Sequence, residues 1–298
     1  MLIVVTHHVP DLDAVTSVWL IKRFLPNWQD AEVKYVPSGD SLDGQIVDND
    51  PKVLHVDTGF GMLDHHQSGE FTCAAKKTYV YIKKIIGMGQ DSRFRGNDKR
   101  GGNGKKRGNG KWHDEALERM SEVICFYDHF KEANLPDATA DYQLFSGTAI
   151  FDGLRSMYAE DEKIMEAGFL ILDAIYKNFK ERIWAEEILG SEGIKFATIW
   201  GKGVAFETIN DAVLKLAQKS GFMVVVRKDP KKGYVRIKGM PDTKVDFTAA
   251  YEKLKGLDPQ ATWFLHSSRK ILLNGTTKNP EMKPTRLSLE EIIKVLKK

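Results

Sequence analysis

Two stretches of this chain concentrate carboxylates and imidazoles behind short apolar runs. The first, "THHVPDLDAVTS" at residues 6–17, carries His7, Asp11 and Asp13. The second, "LHVDTGFGMLDHHQSGEF" at residues 54–71, carries Asp57, Asp64, His65 and His66. So many carboxylates in one crevice repel one another unless a cation sits among them. A mixed Asp/His set at four or more positions suits two hard or borderline divalent ions, manganese first and magnesium second, better than a thiolate-free zinc site. Two ions about 3.5–4 Å apart stabilise both the attacking and the leaving oxygen at a phosphorus centre. Each stretch alone has a plainer explanation, since Asp11 is also a good helix N-cap. The case for a metal centre lies in both occurring in this order, each behind a strand, with a strand-terminal Asp57 between them.

The elements around them must supply that placement. Residues 2–6, "LIVVT", read as a buried parallel-type strand, short and β-branched. Pro10 and Asp11 open a helix running to about Phe24, with Val15, Val18, Trp19 and Ile21 on its apolar side. "EVKYVP" (32–37) and "KVLHVD" (52–57) are further strands, and residues 72–87 a helix ended by Gly87. Helices are expected over 113–133, 141–158 and 161–189. In an open parallel sheet, ligands bind beyond the carboxyl ends of the strands. His7 after "LIVV" and Asp57 after "VLHV" therefore emerge at one sheet edge. The fold class is α/β, a mostly parallel sheet with helices on both faces, plus a smaller C-terminal α+β domain. That smaller domain has strand-like segments "IKFATIW", "FMVVVRK", "GYVRIKG" and "ATWFLHSSRKILLNG", and a hairpin turn at Gly233. The expected division is 1–160 for the metal-binding domain, 161–190 for a connector helix and 191–298 for a substrate-binding domain.

Composition excludes several classes. The 298 residues are 42% hydrophobic and 29% charged, ordinary for a globular protein. No apolar run approaches the roughly 18 residues that span a membrane, and "MLIVVTHH" lacks the basic start and apolar length of a signal peptide. Cys73 and Cys125 make neither a disulfide framework nor metal-type spacing, which points to reduced thiols and a cytoplasmic protein. The net charge of +3 is unevenly spread: residues 90–112 hold eight Lys/Arg and two Asp, a net of +6, so the remainder carries −3. The body of the protein is thus no basic nucleic-acid clamp. The Gly, Asn, Lys and Arg of the 88–112 insertion offer almost nothing to bury, so a disordered surface loop is expected there. A flexible arm for a polyanion is its functional alternative.

Together, "THHVPDLDAVTS", "VDTG" and "DHHQ" resemble the DHH phosphoesterase superfamily. The form "DHHQSGEF", with Gln67 and Phe71, is most similar to the melanocyte proliferating gene family, an exonuclease-like group. "WFLHSSRKILLNG" near the C-terminus loosely resembles a segment of that same family. The resemblance implies that His7 and Asp11 hold one metal, Asp13 and His65 the other, and that Asp57 bridges both. His66 and Asp64 would be the catalytic pair, His66 facing the substrate phosphate and Asp64 orienting it. A fourth motif, an Asp in the helical region, is also implied; Asp128 in "ICFYDHF" is the first choice and Asp152 in "TAIFDGL" the competitor. Val9 stands where the family often has Asn, and the glycine-rich element of the commonest C-terminal partners is missing. His266, Arg269, Lys270 and Asn274 are the expected substrate-binding residues of the smaller domain; a solvated sheet edge would explain the two cations equally.

Three functions follow. The leading one is a divalent-metal-dependent phosphodiesterase acting on short single-stranded nucleic acid. The second is a hydrolase of a small phosphorylated metabolite: pyrophosphate, a nucleotide bisphosphate or a cyclic dinucleotide. The third is a nucleotide-binding module without catalysis, which the complete Asp/His set weighs against. The expected partner is a nucleic acid or nucleotide substrate, with no membrane; monomer and homodimer stay open.

Overall fold

The computed structural model describes residues 1–88 and 113–297. The expectations for the basic insertion fall almost wholly outside the described residues. The chain divides into two compact units, Met1–Lys180 and Glu181–Lys298.

In the first unit, β1 (Ile3–His7) lies between β2 (Glu32–Val36) and β3 (Val53–His55), all parallel, in the order β2-β1-β3. Alternate β1 residues serve opposite faces, as a strand's period of two requires. Val4 joins the main core; Val5 joins Val36 and Val53 in a small cluster on which Leu42 packs. No α-helix of the described residues contributes to that second cluster. The expected helical layer on this face is therefore replaced by the 3-10 turn Leu42–Gly44.

Helix α1 (Leu12–Phe24) starts where it does because Asp11 is extended and its carboxylate accepts from the Asp13 and Ala14 N–H groups at 2.9 and 3.0 Å. Every residue from Leu12 to Ile21 is buried. α1 is thus the central rod of the unit rather than a one-sided surface helix, and it packs against β1, α2 (Ala74–Met88), α3 (Glu115–Asp128) and α4 (Gly147–Met157). Gly87 lies within α2 instead of ending it, a cost of about 1 kcal/mol that a helix tolerates. The expected helix over 113–133 stops at Asp128, and that over 141–158 is a 3-10 segment, Asp141–Phe145, followed by α4 with Ser146 as its cap. Long helix α5 (Asp161–Ser191) belongs to both units. Ile164, Met165 and Leu172 enter the first core, while Ala185 and Ile188 enter a core of the second.

The second unit is a six-stranded mixed sheet in the order β4-β5-β6-β7-β9-β8, comprising β4 (Ile194–Thr198), β5 (Gly201–Glu207), β6 (Val224–Lys228), β7 (Val235–Gly239), β8 (Trp263–Leu265) and β9 (Ile271–Asn274). Helix α6 (Ala212–Lys219) contributes to one face, and α7 (Thr248–Leu257) and α8 (Leu289–Leu296) to the other. Strand β5 is absent from the sequence-based reading because "GKG" at its start has loop character. Gly203 pairs with Phe196 across the sheet, and a Cβ there would meet the Phe196 ring at 2.6 Å. The glycine therefore makes room for an aromatic neighbour and does not break the strand. "ATWFLHSSRKILLNG" is two strands, β8 and β9, joined by a turn in which Arg269 has φ 57°. Gly233 does sit in the β6–β7 turn at φ 68°.

Candidate metal centre

The centre belongs wholly to the first unit. β1 delivers His7 at its carboxyl end, and the next turn delivers Asp11 and Asp13 on either side of the α1 start. The segment after β3 makes a tight loop: Val56 bridges to Leu63, and the Asp57 N–H donates to the Leu63 carbonyl at 3.2 Å. Asp57 and Phe60 adopt left-handed conformations, at φ 54° and 55°. Asp tolerates this region better than most residues. Gly59, at φ 75°, is required twice over, since a Cβ would also meet the Val47 side chain at 2.9 Å. The loop thus turns Asp57 back toward His7 and carries Asp64, His65 and His66 past it.

The candidate ligand atoms fall into three groups, each with its atoms within 4.8 Å of one another: His7, Asp11 and Asp57; Asp13, His65 and Asp128; and Asp57, His65 and His66, which shares one residue with each of the other two. They meet where His65 Nε2 lies 3.4 Å from Asp57 Oδ1. His65 Nε2 is also 3.6 Å from both Asp13 Oδ2 and Asp128 Oδ2, and His7 Nε2 is 3.3 Å from Asp57 Oδ2. His7 Nδ1 donates to the His8 carbonyl at 2.8 Å, which leaves Nε2 to face Asp57. Two of these buried atoms, Asp57 Oδ1 and His65 Nε2, have no hydrogen-bond partner. Buried polar atoms are seldom left so, and here they point at each other across a gap longer than a hydrogen bond. A carboxylate and imidazole donor set with orphaned atoms at its junction fits a pair of divalent cations.

Charge explains the titration of the site. Burial pulls His7 down, but the neighbouring Asp57 carboxylate, the His8 carbonyl and the Asp11 charge outweigh it and raise the group to about 9. The neighbouring Asp57 carboxylate likewise raises His65 to about 9, against the effect of burial. Asp57 is buried, yet His65 and His7 hold it down at about 2. Asp13 is raised by burial and then by the charges of Asp57, Asp128 and Asp11; Asp128 is also raised, first by burial. The metal-free site therefore keeps protons on its histidines at neutral pH, and cations must displace them. Metal uptake near pH 7.5 is expected to release at least two protons per chain, one each from His7 and His65, with any held by the raised Asp13 adding to them. Calorimetry in buffers of different ionisation enthalpy reads this number directly. Stability shifts accordingly. The histidine contribution is fully present below the ordinary value of 6.5 and lost as pH rises through about 9. The metal-free melting temperature should fall between pH 6.5 and 9, while the rise on adding magnesium grows.

Asp13 has a second task. Its carboxylate accepts from the N–H groups of Ala74 and Ala75 at 2.7 and 2.8 Å, so it caps the N-terminus of α2 as well as facing His65. Asp13→Ala is expected to destabilise the metal-free protein by about 1–2 kcal/mol, the usual cost of a lost cap. Chemical denaturation reads that loss without any metal present.

Asp64 is fully buried and accepts from the Phe60 N–H (2.8 Å), the His66 N–H (3.1 Å) and His66 Nδ1 (2.7 Å). The Lys77 ammonium donates to its carbonyl. Asp64 thus fixes the His66 ring at Nδ1, and the His66 side chain is 48% exposed. Although His66 also groups with Asp57 and His65, its Nδ1 is committed to Asp64. Asp152 lies in no ligand group of the described residues; its side chain is 59% exposed and pairs with Arg155 at 3.0 Å.

The second unit treats its four expected residues differently. His266 is exposed, with Nδ1 accepting from the Ser268 N–H at 3.1 Å. Arg269 reaches Asp246 at 3.2 Å, and Lys270 the Val245 carbonyl at 3.2 Å. Asn274 corrects the expectation: it is fully buried, its amide donates to the Thr262 and Lys283 carbonyls at 2.9 and 3.0 Å, and its oxygen accepts from the Thr285 N–H at 2.6 Å. With both amide hydrogens used, it staples the segment after β9 and has none for a substrate.

Sequence reasoning missed Asp161. It accepts from His8 Nδ1 at 2.6 Å and the Val9 N–H at 2.7 Å, holding Val9 at φ 51°, a strained value for a β-branched residue. An acidic residue in the first turn of a helix carries no signal for a partner so distant in the chain. His129, beside Asp128, was also missed. Cys73 and Cys125 are free and buried, and no described helix is long and apolar enough to cross a membrane.

No protein-family model and no curated protein matches the chain. Among solved structures it is similar to a pGpG-specific phosphodiesterase from Vibrio cholerae, with 13% identity, a TM-score of 0.33, and 99% of this chain and 98% of that one covered. It is also similar to the DHH domain of a member of the s1p family of ribosomal proteins, at 10% identity and a TM-score of 0.31, over 99% of this chain and 85% of that one. A third is a protein described as a family II inorganic pyrophosphatase from Methanococcus jannaschii, at 16% identity and a TM-score of 0.21, over 99% of each chain. None of the three reaches a TM-score of 0.5, so the case for the centre rests on its own geometry.

Proposed function

We propose that this chain is a divalent-metal-dependent phosphoesterase of the DHH type, an exonuclease-like phosphodiesterase acting on short single-stranded nucleic acid. The observation that carries the reading is the pair of ligand sets joined at Asp57 and His65, with a buried, unpartnered atom of each at the junction. His7, Asp11 and Asp57 would hold one ion; Asp13, His65 and Asp128 the other. Two divalent ions, manganese by preference, supply the charge that stabilises attacking and leaving oxygens at phosphorus. His66, its Nδ1 fixed by Asp64, presents the rest of its ring to the phosphoryl group. Asp57 keeps His7 and His65 oriented at one point. His266, Arg269 and Lys270 are the proposed substrate contacts of the second unit, and a cytoplasmic setting suits the two free thiols.

The test is an activity screen of the purified chain with manganese or magnesium across labelled single-stranded oligonucleotides, cyclic dinucleotides and pyrophosphate. Mononucleotide release from short single strands is expected. Phosphate release from pyrophosphate alone would transfer the activity to small metabolites. Tight metal binding with no hydrolysis of any substrate would make the chain a binding module.

A further inference from the structure

The metal centre has an aromatic border that the hydrolytic chemistry leaves unused. Phe71 follows the loop bearing His65 and His66 and is 50% exposed. Its ring centroid lies 4.6 Å from that of His129 at an interplanar angle of 55°. His129 adjoins the candidate ligands on the other side: its Nδ1 is 3.4 Å from Asp128 Oδ2, and its ring is 6.2 Å from that of His65. The Lys131 ammonium stands 5.7 Å from the Phe71 ring centroid. An open aromatic ring, an imidazole and a cation thus lie one ring removed from His65.

The backbone beside this group is strained. Phe130 follows the C-cap residue of α3 and has φ 53° and ψ 32°, the left-handed position that glycine takes at no steric cost. A bulky side chain there is an outlier. Burial does not compensate for it, because Phe130 is 71% exposed. Backbone outliers of this kind cluster at functional sites, and this one lies two residues past a candidate ligand.

We infer that Phe71, backed by His129, is a stacking platform for a nucleobase of the substrate, with Lys131 meeting a neighbouring phosphate. The inference rests on the phosphoesterase reading and narrows its substrate to base-bearing phosphodiesters, since pyrophosphate has nothing to stack. A ring face meets any base, so the platform sets the substrate class and not the base sequence. Flanking cations beside aromatics are how single strands are gripped without sequence preference.

Binding tests this apart from turnover. The probe is a 5′-phosphorylated dinucleotide with 2-aminopurine at its 5′ end and a nonhydrolysable phosphonate linkage, in the presence of magnesium. The full chain is expected to quench its fluorescence. Phe71→Ala should weaken binding about tenfold, Phe71→Trp should restore it, and Phe71→Leu, which keeps the apolar bulk, should not. In kinetics, Phe71→Ala should lower kcat/KM about tenfold more for an intact dinucleotide than for its abasic counterpart. Unquenched probe, or equal losses on the two substrates, overturns the platform. Quenching in a chain that hydrolyses no phosphodiester overturns the phosphoesterase reading and leaves the platform standing.

Discussion

Asp57→Asn is expected to abolish hydrolysis with either manganese or magnesium while the chain still folds, its melting temperature lower below about pH 9, where the His7 and His65 protons stabilise the parent, and close to the parent value above it. Asp57 belongs to the set with His7 and Asp11, and its other oxygen faces His65 of the second set. Its loss therefore removes the joint between the two ion sites. The fold should survive for three reasons. Asn tolerates the left-handed conformation that residue 57 adopts at φ 54°. The shape of the side chain is kept. Without the Asp57 charge, His7 and His65 lose the partner that holds their protons, and both can be neutral, while Asp13 and Asp128 lose a repelling neighbour. Steady-state turnover above about a tenth of the parent value would contradict a two-ion mechanism.

Asp128→Ala is expected to weaken manganese affinity about tenfold or more and to reduce turnover sharply, whereas Asp152→Ala changes either only slightly. Asp128 ends α3, and its side chain, only 16% exposed, faces His65 Nε2 at 3.6 Å. Ile124 and Cys125 anchor that last turn in the core, while Val123 is 42% exposed and plays no such part. Asp152 points outward and already pairs with Arg155. Metal titrations of the two variants decide between them, and a reversed pattern would move the second site to α4.

The positions most legible in the chain were those fixed by short-range geometry. Strand alternation put His7 and Asp57 at carboxyl ends, and parallel pairing of β1 with β3 then put them at one edge. Asp11 caps α1, as its position before the helix suggested, and its carboxylate also lies within 4.8 Å of ligand-type atoms of His7 and Asp57. What stayed hidden depends on contacts between distant segments. Nothing near Asp13 announces that it caps a helix 61 residues later. Asp161 clamps Val9 from the start of α5, and Phe71 meets His129 only once the chain around the basic insertion has folded. Asn274 reads as a polar strand-end residue until its burial shows that the backbone consumes its amide. β5 hid behind two glycines, one of which exists to admit the Phe196 ring.

The central claim is that one chain holds two ions joined through Asp57, and manganese spectroscopy tests it most directly. Titration of the metal-free protein with manganese, followed by electron paramagnetic resonance, is expected to saturate at two ions per chain with the exchange-coupled signal of a pair about 3.5–4 Å apart. Asp57→Asn should lose that coupling. Saturation at a single ion, or two ions with uncoupled signals in the parent chain, would contradict the account.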